Sequence, residues 1–550
     1  MPPIKPFPSL QSTVLGMLAS HLKRLCFSES CPLEDMKLIA DHMNTYLSQK
    51  AQVNICQLIL KDIVKTQSYG SVCDHLNERC LLLCTELQSP FLWISSCLCV
   101  APVIRMLNGK SVKTLKIKRC NCGDVLNQEE ITFDFQKYYK LAGLYCFLKT
   151  CENLTTFHCS HMCCDDLLEV VAKSCPHLED LGIYSCPDVT DAGIFYLAGN
   201  SPDDDYEIFK KIIQEEKIPS KSVCTKLKKV SLHYTKVSAQ GALILLYISP
   251  SIEELGIISN FDVSTESVFE MLYGTDVERH SEITRRYSLK VFTCMNTSVP
   301  IKKETLSSIT KTCPLLENIS LVCTGEKKED TYLLAHLLSL KLVTLKVVNC
   351  NIRALLRYLR RKGADLLNLT VFQFSGSPLH LEFTRSDLQN IIYMCPKLEK
   401  LNLKLFHTSI KPDVSYSCSE PDLLYFKTLK HLSLEEVEIT PEDLAVLVSK
   451  CKNLNELRII GPNDVMMDDN GLCNLLDSSN LQNLQTLYLN KAMITMVGLQ
   501  RLLDKCPHLH TVGPLSSWAF DWGEYQVLIK KIQDNGWELD IGKWQSEIYL

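Results

Sequence analysis

From about residue 108 onward, apolar residues recur in one frame: apolar, two variable positions, apolar, one variable position, apolar. The frame is clearest at Cys175–Gly199, CPHLEDLGIYSCPDVTDAGIFYLAG, where Leu178, Leu181 and Ile183 occupy it. It fits at Val112-Leu115-Ile117, Leu154-Phe157-Cys159, Leu227-Val230-Leu232 and Ile252-Leu255-Ile257, and onward through Leu484-Leu487-Leu489, with an imperfect last copy at Leu509-Val512-Leu515. Most first positions lie 24 to 31 residues apart. The alternation at the end of each frame predicts a short strand with one buried face. After the strand comes a small residue such as Cys186, which can be buried where the chain leaves it. A polar turn follows, in which Asp188, Thr190 and Asp191 can cap a returning helix. Several of these helices end in Cys-Pro, at Cys175, Cys313, Cys395 and Cys506, where proline stops the helix. One such unit cannot bury its own apolar face, so the units must stack.

The pattern is that of a leucine-rich-repeat solenoid, an α/β horseshoe with parallel strands inside and helices outside. It predicts three regions: a helical N-terminal cap or domain over 1–107, the solenoid over 108–515, and a tryptophan-rich C-terminal cap over 516–550. In the first region Pro2, Pro3, Pro6 and Pro8 make a stiff lead. Ser9 can cap a helix from Leu10, along which Leu10, Val14, Leu18 and Leu22 fall at four-residue spacing. Further helices are expected at 33–47, 53–64 and 72–87, joined to the solenoid through 91–107. Two segments interrupt the repeat, Asn200–Ser222 and His407–Pro421, both expected as exposed loops with the alternative that one touches a partner. Trp518, Trp522, Trp537 and Trp544 crowd the C-terminal region, where large rings suit the sealing of the last repeat.

Composition narrows the function. The 550 residues are 46% hydrophobic and 22% charged, with a formal net charge of −5, so no global field argues for nucleic acid or a membrane. No apolar run is long enough to span a bilayer, and no signal peptide is seen at the start. The 27 cysteines in so long a chain fit a reducing compartment, cytoplasmic or nuclear, where many act as small buried hydrophobes. The densest metal candidate, His158-Cys159-Ser160-His161-Met162-Cys163-Cys164, lacks paired knuckle spacing, and Cys159 is a core position, so no metal is expected. Asp165-Asp166 and Asp468-Asp469 fall in turns, where capping explains them. The basic cluster Arg357, Arg360, Arg361 and Lys362 reads as a solvated helix face. Walker, dinucleotide, nucleophile-elbow and zincin motifs are absent, and His21, Cys26, Cys31 and His42 are only a scatter. No cofactor and no enzymatic activity are expected.

The cysteine-bearing repeats resemble those of leucine-rich-repeat substrate receptors of cullin–RING ubiquitin ligases, including the F-box branch. Cys175–Leu197 matches that repeat almost in full, and Cys151, Cys313, Cys395 and Cys451 open weaker copies. The resemblance covers about four fifths of the chain and is specific to a repeat class rather than to one activity. The L-P-x-E-like opening of an F-box is not found. SLQSTVLGMLASHL, Ser9 to Leu22, instead looks like the elongin-binding BC box, with Leu10, Val14 (where cysteine is usual) and Leu18 as adaptor contacts. Cys31-Pro32 is a poor candidate for the cullin-selecting motif that should follow. Similar leading helices occur in zygote-defective-class receptors. The resemblance implies a substrate-recruiting subunit partnered by elongin B/C and a cullin, or by the F-box-binding adaptor, with a protein substrate on the concave face. Exposed strand positions Lys116, Lys118, Thr156, His158, Gly182, Tyr184, His233, Lys346, Asn402 and Lys404 are the expected contacts there. The alternatives are an interaction scaffold or inhibitor with no ligase association and, for the first helix, an ordinary capping helix of which Leu10, Val14 and Leu18 are simply one face.

Overall fold

The computed structural model describes residues 9–26, 32–66, 76–95, 102–118, 134–199, 225–258, 268–269, 286–293, 301–323, 337, 340–350, 368–376, 383–411, 426–461 and 467–542. The chain divides into two compact units, Pro8–Leu289 and Lys290–Leu550 together with the first seven residues.

The first unit begins with four helices: α1 (Leu10–Cys26), α2 (Leu33–Tyr46), α3 (Gln49–Thr66) and α4 (Leu76–Glu86). Ser9 caps α1 as expected, its Oγ accepting from the Ser12 amide at 3.1 Å. Helix α1 packs on α3 and α4, α2 packs on α4, and α3 and α4 reach the first strand. Six parallel strands follow: β1 (Phe91–Ser95), β2 (Thr114–Lys118), β3 (Thr156–Ser160), β4 (Asp180–Tyr184), β5 (Lys229–His233) and β6 (Glu254–Ile258). Their register is set by the apolar frame. Leu92, Leu115, Phe157, Leu181, Val230 and Leu255 form one buried row, and Ile94, Ile117, Cys159, Ile183, Leu232 and Ile257 form the next. Helices α5 (Asp134–Leu148), α6 (Asp165–Ser174), α7 (Asp191–Leu197) and α8 (Ala239–Ile248) pack side by side as the returning layer.

The boundary expected at residue 108 is corrected here. The sheet begins at Phe91, because Leu92 and Ile94 already pair with Leu115 and Ile117. The first position of that repeat is Ser89, which is buried and donates its Oγ to the Phe91 carbonyl at 2.7 Å, so the frame is present without its leading leucine.

In the second unit the parallel strands are β7 (Val291–Thr293), β8 (Asn318–Val322), β9 (Thr344–Cys350), β10 (Val371–Gly376), β12 (Lys400–Lys411), β13 (His431–Glu438), β14 (Glu456–Ile460), β15 (Thr486–Leu489) and β16 (Thr511–Gly513), with β11 (Phe383–Thr384) on β12. Phe292, Ile319, Leu345, Phe372, Leu401, Leu432, Leu457, Leu487 and Val512 make its buried row. The helices are α9 (Lys303–Thr312), α10 (Arg385–Met394), α11 (Pro441–Ser449), α12 (Asp469–Ser478), α13 (Met496–Lys505) and α14 (Trp522–Asp534). Each unit is thus a leucine-rich-repeat array of parallel strands and returning helices.

A second polar code joins successive repeats. Asp165 at the start of α6 accepts from the Thr190 amide (2.8 Å), the Thr190 hydroxyl (2.7 Å) and the Gly193 amide (3.0 Å) at the head of α7. Asp191 takes the Ser238 amide (2.8 Å) and hydroxyl (2.5 Å) ahead of α8, and Asp469 takes the Thr495 amide (2.9 Å) and hydroxyl (2.6 Å) ahead of α13. These aspartates therefore hold the N-cap residue of the next helix, Thr190, Ser238 or Thr495, whose own hydroxyl caps that helix. A Cβ on Gly193 would stand 2.6 Å from Asp165 Oδ1, and Gly241 and Gly498 leave the same room for Asp191 and Asp469.

Of the two interruptions, Asn200–Ser222 lies outside the described residues. The second is corrected in part: His407–Lys411 continues β12 and pairs with β11 and β13, and its remainder lies outside. At the C-terminal end Trp518 and Trp537 are buried, and Trp518 Nε1 donates to the Leu489 carbonyl at 2.7 Å. Trp522, by contrast, is 44% exposed and stacks on Tyr525, while Trp544 lies outside the described residues.

Candidate protein-binding surfaces

Helix α1 carries two apolar stripes. Leu15, Ala19, Leu22 and Cys26 are buried against the bundle. Leu10 is 81% exposed, Val14 53% and Met17 68%, whereas Leu18 is half-buried. The reason is helical drift. At about 100° per residue, four-residue steps advance about 40° each, so the series from Leu10 turns about 120° by Leu22. Its end enters the core while its beginning faces out. Leu10, Val14 and Leu18 therefore do not form a face buried against the bundle. Leu10 and Val14 share an outward stripe with Met17, which the sequence reading passed over although it lies at i+7 from Leu10, and Leu18 sits on the flank.

The expected strand positions alternate with buried ones, as a half-covered sheet requires. Lys118 and Lys346 are exposed; Lys116, Thr156, His158, Tyr184, His233, Asn402 and Lys404 are half-buried. Gly182 departs from the expectation: it is buried, because the His158 and Tyr184 rings lie over it. Lys346, Asn402 and Lys404 belong to the second unit and the others to the first.

In the first unit the row facing away from the helices reads Trp93, Lys116, His158, Gly182, Ser231, Gly256. A Cβ on Gly182 would meet His158 Cδ2 at 2.7 Å and Tyr184 Cε2 at 2.8 Å, and one on Gly256 would meet His233 Cε1 at 3.1 Å. The rings thus lie across the two glycines. His158 meets Tyr184 edge-on at 6.1 Å, and Tyr184 meets His233 at 5.4 Å. Asp180 Oδ1 holds His158 Nε2 at 3.0 Å. His233 Nδ1 is covered without a partner among the described residues, and burial pushes that imidazole below its ordinary pKa.

In the second unit the corresponding row is Ser320, Lys346, Gln373, Asn402, Ser433, Arg458, Tyr488. His431 Nδ1 lies 2.8 Å from Glu456 Oε2, Arg458 Nε bonds Glu456 Oε1, and the guanidinium stands 5.8 Å over the Tyr488 ring. Burial works against the charge on Glu456, but the bonds from His431 and Arg458 outweigh it and hold the carboxyl below its ordinary range. Arg458→Ala is expected to move the Glu456 titration upward, read by carboxyl carbon NMR of glutamate-labelled protein. Because the folded pKa is depressed, the stability this group adds is present above the unfolded value of about 4.3 and is lost as pH falls below it. Trp93, His431, Glu456, Arg458 and Tyr488 were missed in the sequence. Their signal was the variable position of each frame, read without knowing which strands adjoin.

Cys159, Cys163 and Cys186, from the densest Cys/His stretch and the strand exit, are core residues, and the Cys163 amide donates to Cys186 Sγ at 3.4 Å. Burial pushes the helix-end thiols of Cys151, Cys313, Cys395, Cys451 and Cys506 up to about 12, which keeps them as thiols. Among the described residues no group of three or more His, Cys, Asp or Glu side chains could hold a metal ion, and no helix is long and apolar enough to cross a membrane. The Arg357 cluster lies outside the described residues.

No family model matches the chain, and no curated protein matches it in sequence. Solved structures do match. The yeast Rad7–Elc1 complex structure is 13% identical with a TM-score of 0.40, over 89% of this chain and 96% of that chain. The leucine-rich-repeat protein LIC12759 of Leptospira interrogans is 13% identical with a TM-score of 0.30, over 84% and 92%. The mouse RP105/MD-1 complex is 13% identical with a TM-score of 0.34, over 72% and 68%. The fold itself rests on the strand register and the helix layer described above.

Proposed function

We propose that this protein is a non-enzymatic protein-recognition scaffold, the substrate-recruiting subunit of a cullin–RING ubiquitin ligase, acting in the cytoplasm or nucleus. The observation that carries the adaptor half of this reading is the outward stripe of α1. A helix that already buries Leu15, Ala19, Leu22 and Cys26 presents Leu10, Val14 and Met17 on its other side. Apolar anchors at i, i+4 and i+7 are what a helix lays into a partner's groove. An elongin-type adaptor is the partner the BC-box resemblance suggests. The open sheet faces supply the recognition half: partly exposed polar and aromatic residues stand on a scaffold fixed by continuous apolar rows. Ubiquitin transfer then follows from proximity, with the chemistry supplied by the assembled ligase. Strand faces alone also suit a scaffold or inhibitor with no ligase association.

Purified full-length protein is expected to form a complex with elongin B/C that Leu10→Asp/Val14→Asp weakens by about 100-fold or more, since each apolar anchor is worth about 1.5–3 kcal/mol. Both residues are exposed, so thermal melting should stay unchanged. A complex indifferent to the double substitution, or no complex with the unaltered protein, removes the elongin reading of α1; if the F-box-binding adaptor also forms no complex, the ligase reading falls and the scaffold remains.

A further inference from the structure

We propose that the ring platform of His158, Tyr184 and His233, with Lys116 and Lys118 beside it, is a docking site for an acidic, extended peptide segment of a partner protein. This deepens the recognition-scaffold reading and rests on it. Three observations converge on the site. The first is pre-ordering. Glycine at 182 and 256 lets the rings lie against the sheet, and their contacts at 6.1 and 5.4 Å together with the Asp180–His158 bond hold them there before any partner arrives. Flat, rigid rings anchor a peptide at low entropic cost.

The second is charge. Asp180 is engaged by His158, and Glu254 pairs with Lys229 at 3.5 Å. His233 is kept neutral by burial at neutral pH. Lys116 and Lys118 have no ion-pair partner among the described residues, lie one strand before His158 and outnumber the single Asp180 carboxylate, so the net charge of these side chains is positive. Carboxylates complement it. The third is extent. Two lysines do not make the long basic track that a nucleic-acid strand follows, and the chain as a whole carries −5. A short acidic segment matches the site and a polynucleotide does not.

The test is selection of a phage-displayed random dodecapeptide library on immobilised full-length protein at low salt. Recovered sequences are expected to be enriched in Asp and Glu over the input. A synthetic copy of the most enriched sequence should lose about tenfold or more in affinity for Lys116→Glu/Lys118→Glu and for Tyr184→Ala, and should weaken as salt is raised. Unchanged melting of the lysine variant separates a lost contact from a lost fold. The Leu10→Asp/Val14→Asp protein should bind the peptide normally, so failure of the adaptor reading and failure of this one are read apart. Recovery of no peptide, recovery without acidic bias, peptide affinity indifferent to both platform variants, or tighter competition by oligo(dT) at the same residues each overturns the proposal.

Discussion

Trp518→Ala is expected to loosen the C-terminal end of the second unit by about 3–5 kcal/mol while leaving distant repeats intact. Trp518 is buried, its ring lies 6.2 Å from Phe520, and its Nε1–H bonds the Leu489 carbonyl at the end of β15. Truncation removes a large apolar body and leaves that carbonyl unpartnered. Trp518→Phe keeps most of the ring and should cost about 1 kcal/mol from the hydrogen bond together with the volume lost. Trp522→Ala is the internal control: its ring is stacked on Tyr525 but half outside, so its loss should cost clearly less. Hydrogen–deuterium exchange reads the effect locally, because stability in a repeat array passes from neighbour to neighbour. Faster exchange in Thr486–Leu489 and Thr511–Gly513, with Val291–Thr293 unchanged, is the expected pattern. Equal loosening in the Trp518 and Trp522 variants would contradict a sealing role for Trp518.

The apolar frame was legible because it is periodic and local: Leu181 and Ile183 announce their strand within six residues of Leu178. The repeat at Phe91 escaped because Ser89 replaces the leading leucine and satisfies its hydroxyl on the Phe91 carbonyl, which a pattern of apolar positions cannot register. The outward stripe of α1 was half legible. Four-residue spacing picks out Leu10 and Val14, which face outward, but the same spacing followed to Leu22 walks into the core. The open sheet faces were legible as positions and not as groupings. Tyr184 and His233 are separated by the long Asn200–Ser222 interruption, and only the pairing of β4 with β5 places them side by side. His431, Glu456 and Arg458 meet for the same reason.

Asp191 is expected from the sequence to cap its own helix, but its bonds run one repeat on, and this defines a test of how the repeats are coupled. Asp191 sits at the first turn of α7, yet its carboxylate is spent on Ser238, one repeat later. The Ser238 hydroxyl donates to Asp191 and at the same time accepts from the Gln240 and Gly241 amides at 3.2 Å, so one aspartate steadies the whole head of α8. Asp191→Ala should cost about 2–4 kcal/mol, the range for removing charge-assisted bonds to a part-buried pair, and it should speed exchange in α8. Gly241→Ala should also destabilise, although alanine is favoured over glycine in a helix by about 1 kcal/mol, because the new Cβ collides with Asp191 Oδ1. The two effects are not independent. With Asp191 removed, the remaining close approach is to Val237 Cγ1 at 3.1 Å, the end of a side chain that can shift. In that background Gly241→Ala should turn neutral or mildly stabilising, and the double-mutant cycle measured by thermal and denaturant unfolding should show strong non-additivity. Additive costs would mean that Gly241 is required by the backbone of α8 alone and that the clamp through Asp191 carries little of the coupling between these repeats.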